Sequence, residues 1–274
     1  MNHQDKERQA LGWLLAEKYN LNHRQFQALL NNSDPKSRTI RDNIMYDLLK
    51  IKSGEPLDYI IGFTKFLDCP IDLSYRPLIP RSETEYWVEK AILEIKESYF
   101  SHLTSKKQIK ILDIFSGSGC IGIALLKHLP WATVILAEKN KNFILQIKKN
   151  LRLNNIFSKR YKVVPSDIFS RVQGKYDYIF ANPPYVANSR IKRVQKSVLK
   201  WEPHEAILGG STGLYYIDKL LKQAQNFLKP KGAIFLEFDT WQKKDLEKLL
   251  KKCHYTQWSF RPDQYQRLRW VKII

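Results

Sequence analysis

The chain has 274 residues, 43% of them hydrophobic and 27% charged, which suits one large domain or a medium one with a small companion and excludes a disordered chain. No apolar run approaches the length that spans a bilayer, and the opening MNHQDKERQA has no apolar stretch of a secretory signal, so a cytoplasmic location is the expectation. Lys and Arg outnumber Asp and Glu by 46 to 27, a formal charge of +19 that attracts nucleic acid and acidic proteins. The lysines lie in nearly every segment, so this charge assigns no function by itself.

Residues 4–52 have the pattern of a small helical bundle. Leu11, Leu14, Leu15 and Tyr19 recur at helical spacing, then Phe26, Leu29 and Leu30, then Ile40, Ile44, Leu48 and Ile51. Asn32-Ser33-Asp34-Pro35 breaks the series, and Ser53-Gly54-Glu55-Pro56 closes it. From Tyr59 to Tyr75 a β-hairpin is predicted, with its alternation broken near Asp68-Cys69-Pro70. Ser82 and Glu85 have the spacing of a capping box, which predicts a helix from about Glu83 to about Ser98. Residues 101–107 are a polar linker.

From Ile109 the period changes. Short apolar strands are predicted at Ile109–Ile114, Thr133–Ala137, Tyr161–Val164, Tyr176–Ala181 and Ala233–Phe238. Helices are predicted at Ile121–His128, Phe143–Leu153, Tyr215–Leu228 and Asp245–Lys252, and a last strand pair at Thr256–Phe260 and Leu268–Ile273. Strands alternating with helices predict a doubly wound, mainly parallel α/β sheet, here of seven strands. The expected organisation is a helical unit at 1–54, a hairpin linker at 55–78 and the α/β domain at 79–274. Cys69, Cys120 and Cys253 are too far apart for a metal pattern, and the six histidines form no ligand pair, so no metal is expected.

Four stretches carry chemistry. Asp113-Ile114-Phe115-Ser116-Gly117-Ser118-Gly119 follows a strand and opens a helix, where glycines permit a tight turn and close approach of a ligand to the backbone. Gly117, Gly119 and Gly122 make a formal G-x-G-x-x-G, which alone is weak evidence for a dinucleotide. Asp113 can meet a cationic group or orient the loop itself. Glu138 ends the second strand, about 20 residues further on, where an acid reaches ribose hydroxyls of a nicotinamide or adenosylmethionine cofactor. Asp167 follows the third strand and can accept from the amine of adenine, with Ile168 against the ring; its bland alternative is a helix N-cap. Asn182-Pro183-Pro184-Tyr185 follows the fourth strand, at the carboxyl end where such sheets bind ligands. An amide nitrogen is a poor nucleophile and must be held. The Asn182 side-chain carbonyl and the Pro183 main-chain carbonyl can each accept one of its N–H bonds, and Tyr185 offers a flat face.

The set resembles a known family. Asn-Pro-Pro-Tyr after strand four is the signature of class I methyltransferases acting on planar exocyclic or amide nitrogens. PLDYIIGFTKFLDCPIDLSYRPLIPRSETE and EPHEAILGGSTGLYYIDKLLKQA, with FLKPKGAIFLEFD, are similar to segments of the HemK-type protein-glutamine methyltransferases, from about Pro56 to the C-terminus. The resemblance implies a Rossmann-like fold and S-adenosylmethionine as cofactor. It implies as substrate the glutamine of the Gly-Gly-Gln motif in class 1 peptide-chain release factors, with the protein acting as a monomer. By position, Phe115, Ser116, Gly117, Ser118 and Gly119 would form the cofactor loop and Glu138 would take the ribose. Asp167 and Ile168 would border the adenine, and Asn182 would touch both methyl donor and substrate. Asn182, Pro183, Pro184 and Tyr185 would hold the glutamine, with Asn182, Pro183 and Tyr185 as the catalytic set, and the Pro80–Thr84 region would lie over the cofactor.

The chain departs from the family pattern at Phe115, where Gly is usual, at Ile168, where an aromatic is usual, and in the short helical N-terminal part. The family often has Glu-x-Gly where this chain has Glu237-Phe238-Asp239. Three alternatives stay open: glutamine methylation of a ribosomal protein, adenine methylation of a nucleic acid, and a non-catalytic RNA-binding module. The second would need a region that flips a base out, and only about 90 residues follow Tyr185. Direct contact with nucleic acid is compatible with the charge and required by none of the motifs.

Overall fold

The structure, a computed structural model, describes residues 3–101 and 108–274. Helix α1 (His3–Trp13) runs through a π-helical turn at Leu14–Lys18, followed by α2 (His23–Asn31) and α3 (Pro35–Lys52). The Asn32–Pro35 breaker is also a start signal. The Asp34 carboxylate accepts the Ser37 N–H at 3.0 Å, and Pro35 occupies the first helical position, where its missing N–H costs nothing. Leu14, Leu15 and Ile44 are buried between these helices, and Asp47 ties them together by accepting from Lys18 and Tyr19.

The short helix α4 (Leu57–Ile61) occupies the start of the region expected as hairpin, and the hairpin itself is β1 (Phe63–Phe66) with β2 (Cys69–Asp72). Leu67 and Asp68 both take positive φ, 46° and 61°, which is the geometry a two-residue hairpin loop needs and the cause of the broken alternation. The hairpin is packed down rather than free. Phe66, Cys69 and Ile71 are buried with the main domain's core, and Asn150 exchanges two hydrogen bonds with the Asp72 backbone.

Helix α5 spans Ser82–Ser101. The expected capping box does not form. Ser82 already lies inside the helix, and Glu85 instead accepts the N–H of Leu67 in the hairpin turn at 2.6 Å. A long-range partner with no other acceptor won over the local one.

The sheet follows: β3 (Ile109–Ile114), α6 (Cys120–His128), β4 (Ala132–Glu138), α7 (Lys141–Leu153), β5 (Tyr161–Pro165) and β6 (Tyr176–Ala181). Then come α8 (Lys196–Trp201), α9 (Tyr215–Ala224), β7 (Leu228–Glu237), α10 (Lys243–Lys252), β8 (Trp258–Pro262) and β9 (Leu268–Ile273). Helix α9 ends before the expected Leu228, which already belongs to β7, and short helical turns occupy 188–206, where no element was expected.

Strand order is β5-β4-β3-β6-β7-β9-β8, with only β9 antiparallel to its neighbours. From β3 the chain winds outward to β5, then returns to β6 on the other side. The point of reversal lies between β3 and β6, whose ends are level: Ile114 pairs with Ala181. The next residues on each strand, Phe115 and Asn182, therefore emerge side by side at the crevice where such sheets bind ligands. The carboxyl-terminal halves of the central strands are buried, which is why they read as mostly apolar runs, with Asp113 the buried exception in β3. On one face Trp87 of α5 stacks on Phe180 at 5.9 Å and Trp270 at 6.0 Å; on the other Phe169 stacks on Phe227 at 4.4 Å.

Candidate active site

The loop after β3 is built on positive φ: Phe115 at 62°, Gly117 at 54° and Gly119 at 82°. Glycine takes this region freely, whereas for phenylalanine it costs roughly 1–2 kcal/mol. The Phe115 ring, packed edge-on to Tyr216 at 5.8 Å, helps hold it there. Asp113, fully buried in β3, accepts the Gly122 N–H at 3.0 Å and so fastens the start of α6 to the strand. Its other oxygen has no partner among the described residues. Burial pushes its pKa up to about 7, with the Gly122 bond working the other way.

Glu138, at the end of β4, accepts from the N–H groups of Lys139, Asn140 and Gly117, each at 2.8 Å. Burial raises its pKa and these three donors oppose the rise. A carboxylate has about four acceptor positions, so roughly one remains for a ligand hydroxyl. After β5 the chain forms a tight turn without a helix. Ser166, not Asp167, stitches it, accepting from Arg171 N–H at 3.0 Å and donating to the Ile168 carbonyl at 2.8 Å. The capping alternative for Asp167 is thereby removed, and its carboxylate is exposed at the cavity edge. Ile168 has φ 52°, a conformation that a β-branched residue adopts only when its surroundings impose it.

Asn182 donates from Nδ2 to the Thr84 hydroxyl at 3.3 Å. Thr84 donates to Glu237 at 2.7 Å, and Glu237 also accepts from Trp87 Nε1 at 2.7 Å and the Tyr185 hydroxyl at 2.9 Å. Burial raises the pKa of Glu237, offset in part by these donors. Burial and the Glu237 charge hold the Tyr185 phenol well above its usual value, so Tyr185 stays neutral. The glycines of Gly209-Gly210-Ser211-Thr212-Gly213 gain a physical reason. A Cβ on Gly209 would lie 2.5 Å from the Pro184 carbonyl oxygen, and one on Gly213 would lie 2.2 Å from that of Tyr185. That segment braces the Pro-Pro-Tyr corner by backbone contact. Glu202 anchors the strap before α5, accepting from Ile79 N–H at 3.0 Å and Arg81 at 2.5 Å.

Two cavities meet here. Phe115, Ser116, Gly117, Ser118, Glu138, Asp167 and Ile168 line the first, with Pro184 and Tyr216. Pro183, Tyr185, Val194, Val198, Glu237 and Arg269 line the second. Asn182 lines both, as do Leu78 and Arg81 of the strap. Of the loop residues singled out in the sequence, Asp113, Gly119 and Gly122 line neither; a Cβ on Gly119 would face Ile147 behind the loop. The partners of Thr84, Glu237, Glu202 and Tyr216 gave no signal, because each lies far from its residue in the sequence. Such an arrangement can hold a nucleoside-bearing donor on one side of Asn182 and a planar amide on the other.

The family model of the methyltransferase small domain matches residues 96–202. The release factor glutamine methyltransferase of Flavobacterium psychrophilum is 33% identical over 230 residues, 82% of this chain and 78% of that protein. The release factor glutamine methyltransferase of Thermodesulfovibrio yellowstonii is 35% identical over 196 residues, 71% of this chain and 67% of that protein. Among solved structures, a methyltransferase from Pyrococcus furiosus superposes with a TM-score of 0.50 at 18% identity, covering 86% of this chain and 98% of that one. That likeness bears on the fold alone, and it agrees with the mainly parallel seven-stranded sheet.

Proposed function

The chain belongs to the release factor glutamine methyltransferase family, and on that premise we propose that it methylates the side-chain amide nitrogen of the Gly-Gly-Gln glutamine in class 1 peptide-chain release factors. The observation that carries the reading is the position of Asn182 on the wall common to two cavities. S-adenosylmethionine is the methyl donor, and when bound it supplies a methyl group activated by a sulfonium.

The first cavity fits that group. Gly117 has no foreign side chain within 4 Å of where a Cβ would stand, so a ligand can approach its backbone. Glu138 has an acceptor position free for a ribose hydroxyl, Asp167 offers an exposed carboxylate to the amine of adenine, and Ile168 and Phe115 supply apolar walls. Phe115, Ser116, Gly117 and Ser118 border the donor from the loop side, with Gly119 shaping the loop from behind.

On the other side, Pro183, Pro184 and Tyr185 form a rigid corner. The Asn182 side-chain carbonyl accepts one N–H of the glutamine amide, and the Pro183 carbonyl accepts the other. Two acceptors on one NH2 group draw electron density onto nitrogen and hold its lone-pair direction toward the methyl group. Orientation supplies much of the rate. With the donor held there, the new N–CH3 bond would form as the donor's S–CH3 bond breaks and its sulfur leaves as a neutral thioether; the amide nitrogen would then give up one N–H proton to solvent, the Asn182 and Pro183 carbonyls serving to orient it. Residues 1–54 meet the protein substrate, residues 55–78 fix their approach, and residues 79–274 carry the chemistry. No described helix is long and apolar enough to cross a membrane. A release-factor substrate supports a reaction in the cytoplasm.

The test is methyl transfer from labelled S-adenosylmethionine to a purified class 1 release factor, to its Gln→Ala variant, to ribosomal proteins and to DNA. Label on the first alone is the expected result. Label on ribosomal protein or DNA instead replaces this substrate.

A further inference from the structure

We propose that Glu237 and Thr84 are positioning residues that fix which end of the Asn182 amide faces the substrate. Asn182 must present its carbonyl to a glutamine N–H. Its own amide has a carbonyl on one prong and an NH2 on the other, and the two are nearly the same size. Something has to choose between them.

The choice is made by a one-way chain of hydrogen bonds. Glu237 is buried, and its Oε2 accepts the indole N–H of Trp87, a group that only donates. The same oxygen takes the Thr84 hydroxyl at 2.7 Å. Thr84 has a single hydrogen, and this bond consumes it. Toward Asn182 the Thr84 oxygen can therefore only accept, and it does so from Nδ2 at 3.3 Å. A flipped Asn182 would set its carbonyl against an oxygen with no hydrogen to give, in a site where Thr84 is 2% exposed. The unflipped amide turns Oδ1 away from Thr84. The other oxygen of Glu237 holds the Tyr185 hydroxyl, so one carboxylate sets both the amide and the ring of the corner. Thr84 and Glu237 touch no reacting atom, and their effect passes through Asn182 and Tyr185.

This rests on the reading that Asn182 meets the substrate amide. Thr84→Val keeps the shape of the side chain and removes the hydroxyl. Turnover is expected to fall by about tenfold to a hundredfold, a larger factor than any fall in cofactor affinity, which is measured beside it because Thr84 also lines the first cavity; the melting temperature falls too, since buried Glu237 loses a donor. Thr84→Ser restores the hydroxyl and with it most of the turnover. In nuclear magnetic resonance spectra the Asn182 side-chain amide protons shift in Thr84→Val and not in Thr84→Ser. Should Thr84→Val fail to fold, Thr84→Ala carries the same comparison. Thr84→Val turning over like the wild type, or Thr84→Ser as slow as Thr84→Val, overturns the relay. A wild-type protein that leaves the release factor unlabelled overturns the substrate instead, and the amide resonances then still decide the relay.

Discussion

Gly12 and Gly122 offer a matched test of the loop geometry, because the same change to alanine should have opposite signs. Both stand in helical segments, where alanine is favoured over glycine by roughly 1 kcal/mol. A Cβ on Gly12 meets nothing within 4 Å, so Gly12→Ala should gain about 0.5–1 kcal/mol. A Cβ on Gly122 would lie 2.6 Å from Leu136 Cδ2 and 2.9 Å from both Leu136 Cγ and Asp113 Oδ2. Leu136 and Asp113 are fully buried and have nowhere to go. Carbon atoms in contact prefer about 3.5–4.0 Å, so α6 must lift from β4 by about 1 Å. Overpacking of this kind costs about 1–3 kcal/mol, and stretching the Gly122–Asp113 hydrogen bond adds roughly 1 kcal/mol. With the helix gain subtracted, Gly122→Ala should lose about 1–3 kcal/mol. The loop that opens α6 moves with it, so cofactor affinity should fall as well. Urea unfolding of the three proteins gives the stabilities, and titration calorimetry gives the affinity. A Gly122→Ala protein as stable as wild type, with unchanged cofactor binding, would refute the claim that this glycine is needed for helix-to-strand contact.

Glu138→Ala removes the acceptor of three backbone N–H groups and of a ligand hydroxyl; calorimetry should show cofactor affinity down about tenfold or more, as for a charged hydrogen bond. Asn182→Ala should cut turnover by about a hundredfold to a thousandfold, the cost of removing one oriented polar group at a reacting centre, while cofactor affinity, which Asn182 also borders, falls by a smaller factor; a smaller turnover loss than affinity loss would contradict its role on the substrate side. Asp113 gives a pH dependence. Its folded pKa, about 7, lies above its ordinary 3.8, so the native state holds the proton more tightly than the unfolded chain. Its stabilising contribution is complete below about pH 4 and is lost as pH rises to about 7. Asp113→Asn escapes that loss, so its stability relative to wild type should climb between pH 4 and 8 by on the order of 2–4 kcal/mol. A difference that stays flat across urea melts at pH 4, 6 and 8 would rule the mechanism out.

What was legible in the sequence is what short-range physics controls. The runs at 109–114, 176–181 and 268–273 have the boundaries expected, because buried strands have to be apolar on both faces and turns are polar. The placement of Glu138 and Asn182 at strand ends beside one cavity was legible, because a doubly wound sheet opens its crevice there. The positive φ of Phe115 and Ile168 was not legible, since neither residue type favours it and only the packed surroundings impose it. Nor was the pairing of Thr84 with Glu237, whose positions differ by 153 in the chain. The capping box at Ser82 misled for the same reason, as its glutamate had a better partner in another element.

Three buried acids stand at or next to the ends of strands of this sheet: Asp113 in β3, Glu138 in β4 and Glu237 in β7. What separates them is the donors each one finds. Glu138 finds three backbone N–H groups, one of them Gly117's, which ties the end of β4 to the loop after β3 and leaves about one acceptor position outward. Glu237 finds three side-chain donors, so it can pass a hydrogen-bond direction on to Asn182 and hold Tyr185. Asp113 finds one backbone donor and keeps an oxygen without a partner among the described residues, so of the three it is the acid with least to offset burial. Each acid costs stability when desolvated, and each fixes a different part: the start of helix α6, the loop after β3, or the Asn182–Tyr185 corner. The division of labour therefore resides in long-range partners rather than in the acids. Replacing an acid's donors should alter function as surely as replacing the acid.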